Sequence, residues 1–349
     1  MQTRHTKLSL NKKLKLKNRL VVPPMASGTA DERGYVTTKT LQHYENLTLA
    51  GAGLMFVEYS HVDPSGKSEP NQLGIDEDGK IPGLAAIAEK IKGSGAIAGM
   101  QITHAGGKTQ KQYSGIMWGA GDIAVPTVRG NMEPPTPLPY ERIKSFQRYF
   151  VDAAIRAYRA GFDILELHCA HGYGINQWLS PLTNNRSDEY GGSLENRTRM
   201  LFEIVSAIRQ EVPDLALAAR VPGQDFLPGG LTNDEMVEVV RQLEKMGLVL
   251  IDVSSGLGGW QRPRDRDGQG YLFPEATYIR ERIGIPVIGV GGVNDPEFID
   301  KTLEQDRVSL VAVGREILKD PGLWASRFAQ GSRWEVEEIR ATNVVDLSL

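Results

Sequence analysis

Short runs of apolar residues alternate along the chain with stretches in which apolar positions recur every three or four residues. The runs lie at 19–25, 53–60, 96–104, 163–168, 215–221, 248–255, 286–292 and 307–314. The helical stretches between and after them cover 37–53, 79–94, 140–162, 193–212, 232–247, 274–283, 295–305 and 315–330. The short runs read as strands and the periodic stretches as amphipathic helices. Pro23 and Pro24 stop the first run abruptly, Gly161 closes the helix of 140–162, and Ser193 with Glu195 opens the next. Several strands are apolar throughout rather than alternating, the pattern of a parallel sheet covered on both faces. Eight strand–helix units at this length predict an α/β fold, a single (β/α)8 TIM barrel. No linker or composition break interrupts the rhythm, so one domain is expected over 1–349. Two long irregular segments stand out, an insertion at 105–139 and a loop at 256–273, both expected to shape a pocket.

Composition narrows the class only a little. A net charge of −3 gives no bulk attraction to nucleic acid or an anionic membrane. No run is long enough to span a bilayer, and the basic N-terminus lacks an apolar core, so it reads as the solvated face of a hairpin-like entry. The lone Cys169 excludes an intramolecular disulfide and cysteine-based metal or iron–sulfur sites. It is expected to pack as a small buried hydrophobe, and a cytoplasmic location is the default.

A barrel places its chemistry at the C-terminal ends of its strands. The unexpected polar residues fall there: Met25 after the first strand, Glu58 and Tyr59 on the second, Gln101 and His104 on the third, His168 on the fourth and Arg220 on the fifth. His168, His171 and Tyr173 occupy six residues just past a strand. Burying two imidazoles and a phenol is costly unless each finds a partner. They suit general acid or hydrogen-bond donor roles, and with His104 they could form a three-histidine metal site. Arg220, inside an apolar strand, needs an anionic or strongly polar partner. That partner is either a ligand or a strand-end carboxylate such as Glu166 or Asp252. Gly291, Gly292, Gly314 and Arg315 end strands seven and eight, where barrels commonly hold a phosphate; the alternative is tight turns and a surface ion pair. Neither a G-x-G-x-x-G nor a Walker A sequence occurs.

The stretch HCAHGYGINQWLSPLTNNRSDEYGGSLENR (168–197) resembles the signature of the Old Yellow Enzyme family, FMN-dependent ene-reductases. KNRLVVPPMAS (17–27), QITHAGGK (101–108) and VAVGREILKDP (311–321) extend the likeness over nearly the whole chain, and the spacing is most similar to the bacterial thermophilic-like branch. The resemblance implies one non-covalent FMN in the barrel mouth, reduced by NADH or NADPH and reoxidised by a small activated alkene. Pro23, Pro24, Met25 and Ala26 would line the flavin ring, Tyr59 would abut it, and Gln101 would bond its pyrimidine edge. Arg220 would face the edge where negative charge develops on reduction. Val290, Gly291, Gly292, Gly314 and Arg315 would complete the cofactor contacts, the glycines and Arg315 on the phosphate. His168 and His171 would donate to the substrate's carbonyl or nitro oxygen, His168 also counting among the cofactor contacts, and Tyr173 would deliver a proton to the α-carbon. No metal, nucleic acid or membrane partner is implied. Many relatives look like dimers or tetramers, so a homo-oligomer is expected.

The chain departs from the family pattern at four places. Ala26 replaces a cysteine or threonine that tunes the flavin, Gly28 a tyrosine, and Gly174 a leucine, the last two suggesting a roomier pocket. Tyr59 is bulkier than the usual small residue. Two other functions stay open on the residues: an NAD(P)H oxidase with little alkene activity, and a metal-dependent hydrolase using His104, His168 and His171.

Overall fold

The computed structural model describes residues 2–127, 130–259, 262–263 and 265–330. The tail 331–349, which the one-domain reading included, lies outside the described residues, as do 128–129 of the insertion and 260, 261 and 264 of the second loop. Eight parallel strands close into a barrel: β1 (Leu20–Val22), β2 (Leu54–His61), β3 (Ile97–Thr103), β4 (Ile164–His168), β5 (Ala216–Pro222), β6 (Leu250–Ser254), β7 (Val287–Gly289) and β8 (Leu310–Ala312). Each pairs with its sequence neighbour, and β8 returns to β1 through Val311↔Leu20 and Ala312↔Val21. Strand β1 ends at Val22 because Pro23 has no N–H to give the ladder.

The helices fall where the periodicity puts them: α1 (Thr38–Thr48), α2 (Ile81–Gly93), α3 (Ile143–Arg159), α4 (Leu194–Glu211), α5 (Asn233–Lys245), α6 (Phe273–Arg280) and α7 (Pro296–Glu304). Thr37 and Thr232 start α1 and α5 with reciprocal capping boxes, through Thr40 and Glu235 respectively. The stretch 315–330 is not one helix. It divides into Arg315–Lys319 and Pro321–Ala329 at Asp320, whose extended backbone caps the second piece while Pro321 takes its first position. A short helix, Gly174–Leu179, escapes the periodicity altogether, since all six of its residues are buried and no polar face marks it. The insertion 105–139 is also less irregular than expected. Trp118–Gly119 pairs with Thr136–Pro137, and Pro126–Thr127 with Gly130–Asn131.

The main core fills the layer between strands and helices, with Phe146, Phe150, Trp178, Leu201 and Phe273 among its bulky members. A second, smaller cluster occupies the barrel interior, where Phe56, Ile164, Leu250 and Leu310 meet Leu10, Leu14 and Leu16 of the N-terminal hairpin (Leu8–Ser9 with Lys15–Leu16). The leucines of this basic segment thus plug the N-terminal end of the barrel while Lys12, Lys13 and Lys15 face water. Arg4, fully buried, ties the same end to the last helices through Asp300 (2.6 Å) and the carbonyls of Phe328 and Gln330. With that end closed, the barrel opens at the C-terminal ends of its strands.

Candidate active site

A cleft of about 780 Å³ lies across those strand ends, within the range that accommodates a cofactor. It is lined by Pro23, Pro24, Met25 and Ala26 after β1, Tyr59 on β2, Gln101 on β3, His168, His171 and Tyr173 at and beyond β4, and Arg220 on β5. Val290, Gly292, Gly314 and Arg315 line its other end. One residue of the sequence-derived set, Gly291, is not in the lining. Its φ of +140° is open to glycine, and its carbonyl accepts from the N–H groups of Gly270 and Tyr271, so it holds the 270–271 turn behind the wall.

The two imidazoles and the phenol gather at one side. The His168 ring lies 4.9 Å from that of His171 and 5.0 Å from that of Tyr173, both edge-on. His171 reaches this position through a left-handed backbone (φ +61°), followed by Gly172 in the same region. The Ala170 N–H donates to His168 Nδ1, which in a neutral ring leaves the proton on Nε2. Ser254 Oγ lies 2.6 Å from His171 Nε2; with the hydroxyl donating, the proton of that ring sits on Nδ1. Burial first, then the charges of Arg220 and Lys108, hold both imidazoles well below the ordinary histidine range. The pair is therefore two neutral N–H donors rather than two cations. Burial also pushes the Tyr173 phenol up, keeping it protonated and able to give a proton.

Below them, four polar side chains form a layer inside the barrel, set by strand register: Glu166 pairs with Gln101, and Arg220 stands between His168 and Asp252. Gln101 Nε2 donates to Glu166 Oε1 at 2.7 Å, which leaves Gln101 Oε1 buried without a partner. Arg220 Nε lies 3.2 Å from Asp252 Oδ2, but the two are not aligned for a hydrogen bond and both atoms remain unpartnered. The strand-end carboxylate considered from the sequence is thus a real neighbour of Arg220, though a poorly engaged one. Burial pushes both Glu166 and Asp252 up, weakening their hold on the guanidinium. Buried polar atoms left open beside a cleft call for a partner from the cleft. A planar heterocycle with ring carbonyls and nitrogens at its edge supplies the acceptor and donor that Arg220 and Gln101 lack. At the far end, an added Cβ on Gly314 would come 2.9 Å from Met25 Sδ, and one on Gly292 3.0 Å from the Tyr271 ring. These glycines keep a narrow space open beside the exposed Arg315, which suits a phosphate. The residues present fit FMN.

Other expectations are corrected. Glu58 does not line the cleft: it is buried and takes hydrogen bonds from Ser27 Oγ (2.5 Å), the Ser27 N–H and Tyr44 Oη, anchoring the strand-one loop to α1. His104 does not join the other two histidines. Its Nδ1 accepts from the Gly106 N–H, its Nε2 faces Ser65 Oγ, and its ring packs on Phe146. Among the described residues, His, Cys, Asp and Glu form no group of three able to hold a metal, so the three-histidine hydrolase site is not assembled. Gly174 leaves no extra room either. A Cβ there would stand 2.5 Å from the His104 carbonyl oxygen, so backbone fills the place of a side chain. Gly28, by contrast, has nothing within 4 Å of its virtual Cβ. Cys169 is buried and packs, as its size suggests.

The site also contains residues that no strand-end rule reveals. Glu69 and Tyr271 line the cleft from loops. Lys108, in QITHAGGK, is driven down to about 8 by burial and donates from Nζ to the His171 carbonyl at 2.6 Å. Much of the 168–197 stretch is scaffold rather than chemistry. Gln177 stitches Gly107, Ala105 and Gly172 together, Asn184 bonds the carbonyls of Trp178 and Tyr190, and Arg186 clamps Asp188 while lying over Trp178.

An eight-stranded barrel whose mouth carries a cleft lined by residues that fit FMN, two neutral histidines and a tyrosine defines an FMN-dependent oxidoreductase. The family model described as NADH:flavin oxidoreductase / NADH oxidase matches residues 9–334. The chain belongs to this family, which includes Old Yellow Enzyme. An NADPH dehydrogenase of Geobacillus thermodenitrificans is 39% identical over 312 residues, covering 88% of each chain. An NADH oxidase of Thermoanaerobacter brockii is 36% identical over 338 residues, 95% of this chain; this chain spans only 51% of that protein. Among solved structures, an Old Yellow Enzyme homologue from Zymomonas mobilis superposes with a TM-score of 0.80 at 21% identity, covering 95% of this chain and 93% of the other, a likeness of fold. A 2-naphthoyl-CoA reductase superposes with a TM-score of 0.83 at 25% identity, over 92% of this chain and 51% of that one. FMN is the cofactor of the family, and NADPH and NADH are the reductants named for its members. Among the described residues no helix is long and apolar enough to cross a membrane.

Proposed function

We propose that the protein is an ene-reductase: it takes hydride from NADPH or NADH into FMN and passes it to the activated C=C bond of an α,β-unsaturated carbonyl or nitro compound. The observation that carries this reading is the grouping of two neutral imidazole donors and one protonated phenol above a cleft that fits a flavin. Bound FMN supplies the hydride acceptor and donor. His168 and His171 bind the substrate oxygen with two N–H groups, which draws electron density from the double bond and stabilises the negative charge that grows on oxygen. Burial, reinforced by the nearby charges of Arg220 and Lys108, keeps both rings neutral, so both act as N–H donors. Tyr173, held at the N-terminal end of the Gly174–Leu179 helix, gives its proton to the α-carbon. Gln101 and Arg220 would hold the flavin's polar edge, and Gly292, Gly314 and Arg315 its phosphate. This division of labour gives each of the three polar groups a task in alkene reduction, whereas an oxidase passing electrons to oxygen needs no tyrosine acid. A homo-oligomer remains part of the proposal.

The test is spectroscopic. The purified protein should carry flavin absorbance in the visible, bleach on anaerobic addition of NADPH or NADH, and recover fully on addition of 2-cyclohexen-1-one. Bleaching that only oxygen reverses would mark an oxidase and overturn the ene-reductase reading.

A further inference from the structure

Among the described residues that line the cleft, those of formal charge are Glu69, Arg220, Arg315, Glu316 and Lys319. Arg220 and Arg315 fit the edge and the phosphate of FMN, and Glu316 pairs with Lys319 at 2.7 Å. Glu69 is left over, and it stands on the side of the histidines. Its Oε1 accepts from the Tyr59 hydroxyl at 2.5 Å, and the Tyr59 ring lies 5.5 Å from that of Tyr173 and 6.0 Å from that of His168. The half-buried carboxylate is thus one phenol ring away from the groups that seat the substrate. Among the described residues no lysine, arginine or histidine pairs with Glu69, and nothing donates to its Oε2. Lys67, just before it in the chain, gives its ammonium to the Glu32 carbonyl, and Lys108, over the Tyr173 ring, gives its own to the His171 carbonyl. Gln72 fixes the turn that carries Glu69, accepting from the Ser68 N–H at 2.8 Å and donating to the Tyr59 carbonyl at 2.8 Å. The carboxylate is therefore in place before a ligand arrives, and little ordering is lost on binding. Burial pushes the Tyr173 phenol up and the Glu69 charge adds to it, so the field of this carboxylate reaches the substrate's seat.

We infer that the alkene this enzyme reduces carries a protonated amine, which Glu69 binds while His168 and His171 hold the carbonyl or nitro oxygen. The inference rests on the ene-reductase reading of the cleft and names the substrate class for it. A carboxylate without a counter-cation, in a cleft partly closed to water, attracts a cation more strongly than it would in bulk solvent. An ammonium meets Glu69 Oε2 with a charge-assisted hydrogen bond while the Tyr59 hydroxyl keeps Oε1, so no existing partner is given up. The aromatic face of Tyr59 beside it suits the same cation. A substrate carboxylate in this place would meet like charge, and an uncharged substituent would gain nothing from Glu69. Glu69 touches no reacting atom, and its part is to select and orient the substrate.

The test gives the FMN-loaded enzyme β-nitrostyrenes that bear an aminomethyl, a methyl or a carboxylate group, each at the meta and the para position of the ring. At one of these positions kcat/KM for the aminomethyl compound should exceed that for the methyl compound on the order of tenfold, the worth of a hydrogen bond to a charged group. The carboxylate compound should be the poorest, and added salt should shrink the preference. In Glu69→Gln the aminomethyl and methyl compounds should come to parity, and in Glu69→Lys the carboxylate compound should overtake the aminomethyl one. Ratios taken within one variant cancel any general loss of activity. Calorimetric binding of meta- and para-(aminomethyl)phenol against the matching cresols to the oxidised enzyme reads the same preference without turnover. If the variants lose their FMN, this binding and its salt dependence in the parent decide. No preference in the parent, a preference indifferent to salt, or a preference that survives Glu69→Gln overturns the inference. Failure of the underlying reading looks different: no nitrostyrene reoxidises the reduced flavin, whatever its substituent.

Discussion

Tyr173→Phe should slow reoxidation of the anaerobically reduced enzyme by an activated alkene by a factor of about 10² to 10⁴, the usual worth of a positioned general acid. Reduction of the flavin by NADPH should change by no more than a few-fold. The asymmetry is the point. The phenol edge faces His168 and the cleft, where a proton is needed only when an alkene accepts hydride. Phenylalanine keeps the ring against Tyr59 and under the Lys108 ammonium, so packing survives and only the O–H is lost. Stopped-flow measurement of the two half-reactions checks this directly. Equal loss in both would mean that the substitution had disturbed the flavin and that Tyr173 is not the acid.

Arg220→Met should cost the fold about 3–5 kcal/mol and strip most of the FMN. Among the described residues the guanidinium is the one cation of a layer that also buries Glu166, Gln101 and Asp252, and removing it takes away the charge that favours the ionised form of both carboxyls against burial. Structural and cofactor roles can be separated. The double variant Arg220→Met with Asp252→Leu removes the stranded acid and should regain much of the stability, because well-packed apolar residues replace a buried ion pair at little cost. Its affinity for FMN should stay low, and any flavin it binds should be harder to reduce, since the charge facing the reduced ring is gone. Thermal unfolding and FMN titration of the single and double variants decide the matter. A double variant that binds FMN like the parent would confine Arg220 to balancing Asp252.

How much of this was legible in the chain varies with the residue. The barrel was, because strands such as 215–221 and 286–292 are apolar on both faces and only a covered parallel sheet tolerates that. His168, Arg220 and Gln101 were, because a polar side chain at the end of an apolar strand is costly unless it faces a mouth. The same rule misled for Glu58 and His104. Both end strands, but the chain turns them behind the wall, where Tyr44, Ser27 and Ser65 satisfy them. Glu69 and Lys108 were not legible as neighbours of Tyr173. They belong to loops more than sixty residues before it, and only barrel closure brings them together. Family likeness could not assign the long 168–197 stretch internally either. Its three chemical residues look no different in a sequence from Gln177, Asn184 or Arg186, whose hydrogen bonds hold the mouth in shape.

The proposed function makes the flavin the source of hydride and Tyr173, grouped with the histidines above the cleft, the source of the proton, and so requires the two to reach the alkene from opposite sides. Isotopic labelling tests it most directly: reduction of N-phenyl-2-methylmaleimide in D₂O with NADPH deuterated at its transferable C4 position, the product examined by NMR. The expected product carries deuterium on both former alkene carbons, on opposite faces of the ring. Deuterium on a single face, or an unreduced maleimide beside fully reduced flavin, would contradict it.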